Sequence, residues 1–466
     1  MIKKIAGTPL YIIVLVNLIL KLSLFCYLSP WNKTVEETKI VVSDSKGYEH
    51  VAENLLHYGS YAAAKDTIDI NKFSEYRATG YLMAYPDGWM MPVYPTLLAG
   101  VYSIVGIKPF VAILVQILLS LFSVVSVYRI CTLFFENTNV AAIASFLFAI
   151  DIHSIYSANE LLTDTLFVLL FLSAIYYFLK GMKSEKLTTI AIGAIFMGLA
   201  CLTRLLVLIY PSILIVILFL FLKKEWKWKL KAVVIYILIF ASMNGIWSLR
   251  NHNFYNHWQL TSHGGWTLLI FNTSMAKEKI THDNLDSIRV DFQRQADSMG
   301  FRKTKDIFNQ SEIYRQVAMK YIMQHKGMYL LTSIEGCMNM FLSLGNMGMA
   351  KTLGWTDAAP KGNLAEISSQ RIAQNFSSNI RETLLGILIM LVIAVQYIGA
   401  IYGIVKLKAS GNYMLLWFGF LTVAYFAAVT GILGSYRFKL PLVPLICIIA
   451  GYGYFCLMQK KTNHLA

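Results

Sequence analysis

Long apolar runs separated by short polar connectors are the main feature of this chain. Ten of these runs approach the roughly 17–25 residues that an α-helix needs to cross a bilayer. They cover residues 9–29, 110–128, 139–157, 162–180, 188–203, 205–222, 231–248, 383–405, 413–431 and 438–457. The pattern predicts an all-α polytopic integral membrane protein with about ten spanning helices.

Two further apolar segments do not fit as crossings. Residues 92–106 are about five residues short of a span at 1.5 Å per residue. A crossing there would also move every later basic connector to the opposite side of the membrane. Residues 328–348 lie between two predicted helices whose facing ends are both outside. We therefore predict that 92–106 lies in the outer interface and that 328–348 is interfacial or re-entrant.

Basic residues in the short connectors orient the chain. Lys and Arg gather at 180–187, 223–231 and 406–412, and such loops are typical of the cytoplasmic side. The sequence then predicts an N-terminal membrane module at 1–250 with a first outer loop at 30–109. It further predicts an outer segment with an interfacial helix at 251–382 and C-terminal membrane helices at 383–466. The expected location is the cell inner membrane, with the active site on the periplasmic side.

Composition excludes several other classes of protein. Only 14% of the residues are charged and 56% are hydrophobic, whereas soluble domains carry roughly 25% charged residues. The net charge of +15 sits in connectors rather than in a continuous stripe, which argues against a nucleic-acid partner. The six cysteines form no close pairs. The histidines do not have the spacing of metal ligands, so we expect no metal motif. A divalent cation bound by carboxylates stays an open alternative.

Ionisable residues at the outer ends of the predicted helices carry the candidate chemistry. Such groups near a bilayer are costly and indicate function. The set comprises Asp44, Asp164, Arg204, Arg250 and Arg437. A carboxylate can accept a proton from an attacking hydroxyl, and guanidinium groups bind phosphate in a planar, bidentate manner. Together they predict a chamber that binds an anion.

Each of these residues also has an ordinary structural interpretation. For Asp44 this is a solvated loop acid or a helix cap, and Thr163-Asp164 suits a helix N-terminus. Glu160 is the alternative acid if Asp164 only caps. The arginines can reach lipid headgroups or pair with the two aspartates. No glycine-rich phosphate loop or GxSxG nucleophile motif is present, which argues against nucleotide hydrolysis.

Six runs, in this order, resemble one family. They are DSKGYEHVAENLLHYGSY, MPVYPTLLAGVYSIVG, SANELLTDTLFVLL, GLACLTRLLVL, WSLRNH and YRFKLPLVPLI. They resemble the polyprenyl-phosphate-sugar-dependent membrane glycosyltransferases of the GT-C fold. The most similar branch is that of bacterial protein O-mannosyltransferases and aminoarabinose transferases. The resemblance extends from residue 44 to about residue 445, nearly the whole chain.

The resemblance implies roles for particular residues. Asp44 stands at the family's first-loop catalytic aspartate, and Asp164 at its second acidic position. The positions expected to contact the donor phosphate are Arg204, Arg250, Arg437 and Lys439, and those expected in the substrate pocket are Tyr48, Arg77, Tyr94 and Glu160. Two departures stand out: Ser45 replaces a second acid that many relatives carry, and Trp89 to Pro92 replaces a basic donor contact. Arg77 is the expected substitute for that contact.

The resemblance implies a hexosyl- or pentosyltransferase using a polyprenyl-phosphate-sugar donor. The acceptor, a lipid, glycan or protein, would attack through a hydroxyl or phosphate at the outer face of the membrane. Asp44 would be the base, and the sugar carbon would be inverted. Two alternatives stay open: a lipid-linked sugar flippase or exporter, and a polysaccharide polymerase or ligase. Transporters tend to show internal repeats and broken helices near the membrane midplane, whereas this sequence shows no internal repeat and is expected to place its charges at one surface. The sequence does not indicate a cofactor.

Overall fold

The computed structural model describes residues 9–32, 43–63, 85–304, 306–355 and 380–463. These residues are almost entirely helical, which confirms the predicted all-α membrane class. The pocket residue Arg77 and part of the first outer loop lie outside the described residues, as does the segment 356–379.

The N-terminal half is a series of helices interrupted by one two-residue ladder. The elements are α1 (Leu10–Leu28), α2 (Ser43–Tyr58), β1 (Ala62–Ala63), β2 (Tyr85–Pro86), α3 (Val93–Val105), α4 (Pro109–Phe135), α5 (Thr138–Ala149), α6 (Ile152–Ser157), α7 (Asp164–Ser184), α8 (Leu187–Cys201), α9 (Pro211–Phe221) and α10 (Trp226–Tyr255). β1 and β2 pair antiparallel, with Ala62 opposite Pro86. Local signals set several ends: Asn137 caps α5 through its side chain, and Pro109 begins α4, where its missing N–H is harmless.

The second half begins with a small helical unit and ends with long apolar helices. Its elements are α11 (His263–Trp266), a π-helical turn (Thr267–Thr273), α12 (Ser274–Thr281), α13 (Leu285–Ser298), α14 (Ile307–Gln324), α15 (Lys326–Leu342), α16 (Asn346–Thr352), α17 (Ile380–Ala409), α18 (Tyr413–Thr430), α19 (Tyr436–Lys439) and α20 (Val443–Asn463). Short 3₁₀ turns lie at Pro30–Asn32, Leu205–Val207 and Phe301–Lys303.

Seven described helices are long and apolar enough to cross a membrane: Leu10–Asn32, Pro109–Phe135, Asp164–Ser184, Trp226–Tyr255, Ile380–Ala409, Tyr413–Thr430 and Val443–Lys460. The other three predicted spans contain shorter apolar helices, at Thr138–Ala149, Leu187–Cys201 and Leu205–Phe221. The break between the last two falls at Arg204, whose backbone is extended (φ −146°, ψ 127°). The count of ten crossings therefore stays a prediction.

The two segments predicted to lie in the interface are both helical. Residues 92–106 form α3, which packs on α2 and α4. Residues 328–348 fall on α15 and α16, and α15 exposes an apolar residue at every fourth position: Leu330, Ile334, Met338 and Leu342. Such a one-sided apolar face suits the boundary of a bilayer. Their position relative to the membrane stays a prediction.

Helix α7 packs in the core of the fold and carries oppositely charged residues at its two ends. It packs between α4 and α8, and its buried Phe171 lies against Tyr210 with ring centroids 4.8 Å apart. Its 21 residues extend about 30 Å at 1.5 Å per residue, close to the hydrocarbon thickness of a bilayer. Asp164 begins the helix, whereas Lys183, in its last turn, pairs with Glu136.

The basic connector at 180–187 and the candidate acid Asp164 therefore lie at opposite ends of α7. This separation agrees with the expectation that they face opposite sides of the membrane. Which end faces the cytoplasm stays a prediction, as do the three proposed sections of the chain.

Candidate functional site

Two guanidinium groups converge on the buried carboxylate that begins α7. Asp164 is only 2% exposed. Its Oδ2 accepts hydrogen bonds from Arg437, at 2.8 Å from Nη2 and 3.3 Å from Nε. Its Oδ1 accepts a hydrogen bond from Nη1 of Arg204. The sequence placed these three residues at one level of the membrane, and the structure brings them into direct contact.

Local structure positions both arginines. Arg204 lies in the extended turn between α8 and the 3₁₀ turn Leu205–Val207. Its guanidinium carbon lies over the rings of Phe167 and Phe438, 5.8 and 5.7 Å from their centroids, an arrangement that stabilises a desolvated cation. Arg437 lies in α19, where the side chain of Ser435 accepts a hydrogen bond from its backbone N–H. The preceding turn thus fixes the backbone at Arg437, and the hydrogen bonds to Asp164 orient its guanidinium.

Asp44 completes the cluster from the opposite side. Its Oδ2 lies 3.7 Å from Nη1 of Arg437, and its side chain is 57% exposed. Asp44 stands in the first turn of α2, so the helix presents it at the open edge of the cluster. The two aspartates therefore differ in environment: Asp164 is enclosed by guanidinium groups, whereas a substrate can reach Asp44. We call Asp44, Asp164, Arg204 and Arg437 the charged cluster.

Two predicted pocket tyrosines line the same region. Tyr48, one turn after Asp44, packs edge-on against Tyr94, with ring centroids 5.2 Å apart. Burial raises the pKa of Tyr48, and the negative charge of Asp44 raises it further, so its hydroxyl stays neutral. The Tyr94 hydroxyl donates to Oε1 of Gln116 at 3.0 Å. Gln116 in turn donates to the carbonyl of Glu160 at 2.7 Å, which fixes the loop before α7.

Glu160 is a second buried acid beside the charged cluster. It is 6% exposed and hydrogen-bonds to the side chain of Tyr156. Burial raises its pKa to about 7, although the positive charge of Arg437 opposes the rise. A carboxyl group with such a pKa is suited to exchanging protons near neutral pH. Burial lowers the pKa of Arg437, but Asp164 and Glu160 outweigh burial and raise it, so Arg437 stays charged.

The contacts of Arg250 lie around the β1–β2 ladder. Its guanidinium donates to the carbonyl of Asp87, to the carbonyl of Tyr61 at 2.7 Å and to Oδ1 of Asn251 at 2.8 Å. The same group lies 4.7 Å from the ring centroid of Trp247. Arg250 therefore joins the two chain segments that flank the β1–β2 ladder. Its part in phosphate binding stays a prediction.

Lys439 contacts Phe341 and Tyr397. Its Nζ lies 3.4 Å from the carbonyl of Phe341 and 5.9 Å from the ring centroid of Tyr397, and the residue is 1% exposed. Arg77 falls outside the described residues. The predicted roles of Lys439 and Arg77 therefore stay predictions.

Asp87 is a buried acid that the sequence did not single out. It is 3% exposed, and its Oδ2 accepts a hydrogen bond from the Met90 backbone N–H at 2.7 Å. Burial raises its pKa to about 6, opposed by backbone N–H groups and by Arg250. The sequence Pro-Asp-Gly is typical of a turn, and turn acids are normally exposed. Nothing in that motif indicates burial.

No metal centre is evident in the parts of the chain that the structure describes. Among those residues, no group of three or more His, Cys, Asp or Glu side chains could hold an ion. Both carboxylate oxygens of Asp164 instead accept hydrogen bonds from arginines. Dependence on a divalent cation stays untested.

Comparison with known proteins supports the resemblance found in the sequence. Residues 88–247 match the family of dolichyl-phosphate-mannose-protein mannosyltransferases. The matched segment contains Asp164 and Arg204 but not Asp44 or Arg437. No curated protein sequence matches this chain.

The fold is shared with an archaeal oligosaccharyltransferase. The structure of AglB from Archaeoglobus fulgidus, in complex with an inhibitory peptide and a dolichol-phosphate, has a TM-score of 0.54 at 14% identity and covers 97% of this chain and 50% of that one. The apo form of the Archaeoglobus fulgidus oligosaccharyltransferase gives a TM-score of 0.54 at 13% identity, covering 97% of this chain and 51% of that one. The chain has the GT-C fold. It spans about half the length of the oligosaccharyltransferase.

A weaker likeness is to ArnT from Cupriavidus metallidurans bound to undecaprenyl phosphate. Its TM-score is 0.39 at 13% identity, and the match covers 95% of this chain and 77% of that one. The family match and the shared fold together confirm the predicted similarity to GT-C membrane glycosyltransferases.

Proposed function

We propose that this protein transfers a glycosyl unit from a polyprenyl-phosphate donor to an acceptor hydroxyl or phosphate at the outer face of the cytoplasmic membrane. One observation carries the proposal: Arg437 lies between Asp164, the buried carboxylate that begins α7, and Asp44, the accessible carboxylate in the first turn of α2. Its guanidinium bonds to Asp164 and lies 3.7 Å from Asp44. A phosphate-binding group and a general base therefore lie side by side.

The hydrogen-bonding capacity of Arg437 supports the phosphate site. A guanidinium carries five N–H donors, and the contacts to Asp164 use Nε and Nη2. Nη1 faces Asp44 at a distance longer than a hydrogen bond. The N–H groups of Nη1 are therefore available for a phosphate oxygen. Such preorganised donors stabilise the negative charge that develops on a leaving phosphate.

The exposed carboxylate supports the choice of base. Asp44 would accept the proton of the acceptor hydroxyl as that oxygen forms a bond to the anomeric carbon. The bond from the anomeric carbon to the phosphate oxygen would break, and the polyprenyl phosphate would leave with the bonding electron pair. A single displacement of this kind inverts the sugar carbon. Phosphate leaves without full protonation, so a second carboxylate acid, as in glycosidases, is not required.

A cavity lined in part by Leu205, the residue after Arg204, suits an amphiphilic donor. Its volume is about 480 Å³, and it lies between α10 and α14. The lining includes the apolar side chains of Leu205 and Leu208, which closely follow Arg204 in the chain, and the polar side chains of Ser311 and Arg315. Ligand sites commonly combine an apolar lining with a few polar groups. An isoprenoid chain would lie against these leucines, with its phosphate toward the charged cluster. Dolichol-phosphate bound to the archaeal oligosaccharyltransferase is a lipid of this class.

The test combines the substitution Asp44→Asn with a matched control. Asp286→Asn removes a carboxylate that is 86% exposed in α13. Glycans and lipid A from cells with and without the protein, compared by mass spectrometry, would identify the product. Asp44→Asn should abolish that product while the purified variant still binds undecaprenyl phosphate, and Asp286→Asn should leave product formation unchanged. Near-normal turnover by Asp44→Asn would remove it as the base. Identical glycans with and without the protein would refute glycosyl transfer.

A further inference from the structure

Three aromatic rings form a contiguous group beside the charged cluster. The ring centroids of Trp89 and His263 are 4.5 Å apart, those of Trp89 and Trp266 are 5.4 Å apart, and those of His263 and Trp266 are 5.5 Å apart. All three side chains are half-buried, so part of each ring is accessible. We call these three residues the aromatic platform.

Hydrogen bonds join the segments that carry the platform. Thr261 donates through Oγ1 to the carbonyl of Trp89 at 2.7 Å. The backbone N–H of Ser262 donates to the carbonyl of Gly88 at 2.8 Å. The N–H of Gly265 donates to Oγ of Ser311 at 3.0 Å, and a side chain at Gly265 would clash with the Ser311 backbone. The loop that carries Trp89 and the segment that carries the other two rings are thus fixed to each other.

Two observations place the platform next to Asp44. Met90 is the residue after Trp89, and its side-chain methyl packs directly on Gly47. Gly47 lies on α2, about one helical turn after Asp44. The negative charge of Asp44 also acts on His263. Burial lowers the pKa of His263, and Asp44 opposes that shift. His263 therefore lies within electrostatic reach of the proposed base.

The nitrogen atoms of the platform are open to a ligand. Among the residues that the structure describes, no hydrogen bond connects the indole N–H of Trp89 or Trp266, or the ring nitrogens of His263, to the protein. Indole and imidazole rings combine a broad apolar face with a polar edge. A pyranose ring is complementary to this, because one side exposes C–H groups and its rim carries hydroxyls.

We propose that the aromatic platform binds a pyranose ring of the glycosyl-transfer substrates, either the donor sugar or a sugar of the acceptor. The inference rests on the proposed function, since it names where a sugar lies relative to Asp44 and Arg437. The faces of Trp89 and Trp266 would contact the C–H side of the pyranose. The open nitrogens would bind its hydroxyls.

The test measures sugar contact directly rather than turnover. The full chain is placed in lipid nanodiscs free of glycoside detergents, which would compete for the platform. Saturation-transfer-difference NMR is recorded with the methyl pyranosides of glucose, mannose and galactose. At least one should receive saturation, strongest at the C–H protons of one ring face. Trp89→Ala and Trp266→Ala should each lower that signal at least about tenfold, whereas Trp89→Phe should retain part of it because a ring remains.

The control is Trp417→Ala, which removes a 49% exposed tryptophan from α18. An equal loss of signal in Trp417→Ala and Trp89→Ala would overturn the platform. The absence of saturation with every pyranoside in the wild-type chain would also overturn it. Binding of undecaprenyl phosphate, measured on the same nanodiscs, reports on the charged cluster separately. Retained lipid binding without pyranoside contact would reject the platform and leave the proposed function standing.

A second arm separates the two sources of the sugar. The methyl pyranoside that binds is compared with the corresponding pyranosyl 1-phosphate. A donor sugar places its anomeric phosphate at Arg437, so the 1-phosphate should bind about tenfold or more tightly, and Arg437→Lys should remove that gain. An acceptor sugar should show no such gain. Either result supports the platform and assigns its occupant.

Discussion

Replacing Arg437 with lysine tests the geometry of the charged cluster while preserving its charge. The guanidinium holds Asp164 through Nε and Nη2 and still presents Nη1 toward Asp44. An ammonium group is a single point charge with three donors on a flexible stem. A lysine at this position can reach Asp164 or a phosphate beside Asp44, but not both in the same planar arrangement.

The magnitude follows from the contact that is lost. A hydrogen bond to a charged group contributes about 1.5–3 kcal/mol, and about 1.36 kcal/mol corresponds to a tenfold change in affinity. Arg437→Lys should therefore weaken undecaprenyl phosphate binding roughly 10- to 100-fold. Folding should be largely preserved, because Asp164 keeps a cationic neighbour. Arg437→Met instead leaves Asp164 with Arg204 alone, and removing one partner of a buried pair costs about 3–5 kcal/mol.

The assay combines lipid affinity with thermal stability in nanodiscs. Arg302→Lys serves as the control, since Arg302 is 76% exposed and pairs with Asp297. We expect wild-type affinity for Arg302→Lys, weak binding with near-normal melting for Arg437→Lys, and lowered melting for Arg437→Met. Wild-type affinity in Arg437→Lys would show that the phosphate is bound elsewhere. Unchanged melting in Arg437→Met would show that the buried pair with Asp164 does not stabilise the fold.

Three further residues give predictions of different kinds. Arg250→Ala should lower the melting temperature more than Arg250→Lys, because two backbone carbonyls lose their donor; equal melting of the two variants would reject this bracing role. Burial raises the pKa of Glu160 to about 7. Glu160→Gln should therefore remove an ionisation near neutral pH from the pH–activity profile. An unchanged profile would exclude Glu160 from the proton-transfer chemistry. Burial raises the pKa of Asp87 from 3.8 to about 6, so ionisation costs the folded state about 3 kcal/mol. This penalty is absent below pH 4, grows up to pH 6 and is constant above it. Asp87→Asn should therefore melt at a higher temperature than the wild-type chain at pH 8 but not at pH 4, and an equal difference at both values would contradict the assignment.

Much of the charged cluster could be predicted from the sequence, because its residues lie near the ends of apolar runs that the sequence shows directly. Basic connectors give an orientation, and the parity of the apolar runs then places Asp44, Asp164, Arg204 and Arg437 on the same side. Buried charges seek opposite charges, so their convergence follows once they share a level. The structure confirms this contact and adds which carboxylate is enclosed. The sequence could not supply that difference, since burial depends on packing between residues far apart in the chain.

Other features depend on contacts that no local pattern encodes. Arg250 reaches carbonyls 163 and 189 residues away in sequence, so its position follows from how the first loop returns to α10. Hydropathy measures composition, not helix length, so the two spans predicted at 188–203 and 205–222 correspond in the structure to shorter apolar helices. The aromatic platform joins Trp89 to His263 and Trp266 across two loops. In the sequence, these aromatic residues resemble those common at any membrane interface, so nothing in their spacing indicates that they form one group.

The arrangement of charges also suggests how donor binding and proton transfer are coupled. Two guanidiniums and two carboxylates make the charged cluster neutral as it stands. An incoming phosphate brings negative charge to Nη1 of Arg437, the atom that faces Asp44. Asp44 lies 3.7 Å from Nη1, beyond hydrogen-bond distance, so in the proposed reaction a phosphate bound to the Nη1 N–H groups would replace Asp44 as the electrostatic partner of Arg437 on that side. Asp164 keeps its own hydrogen bonds to Nε and Nη2, which holds the guanidinium still during the exchange. Asp44, being exposed on the first turn of α2, is then free to turn toward the acceptor hydroxyl. Donor binding would thus release the base when the acceptor needs it, and in the absence of donor Arg437 would hold that base near itself.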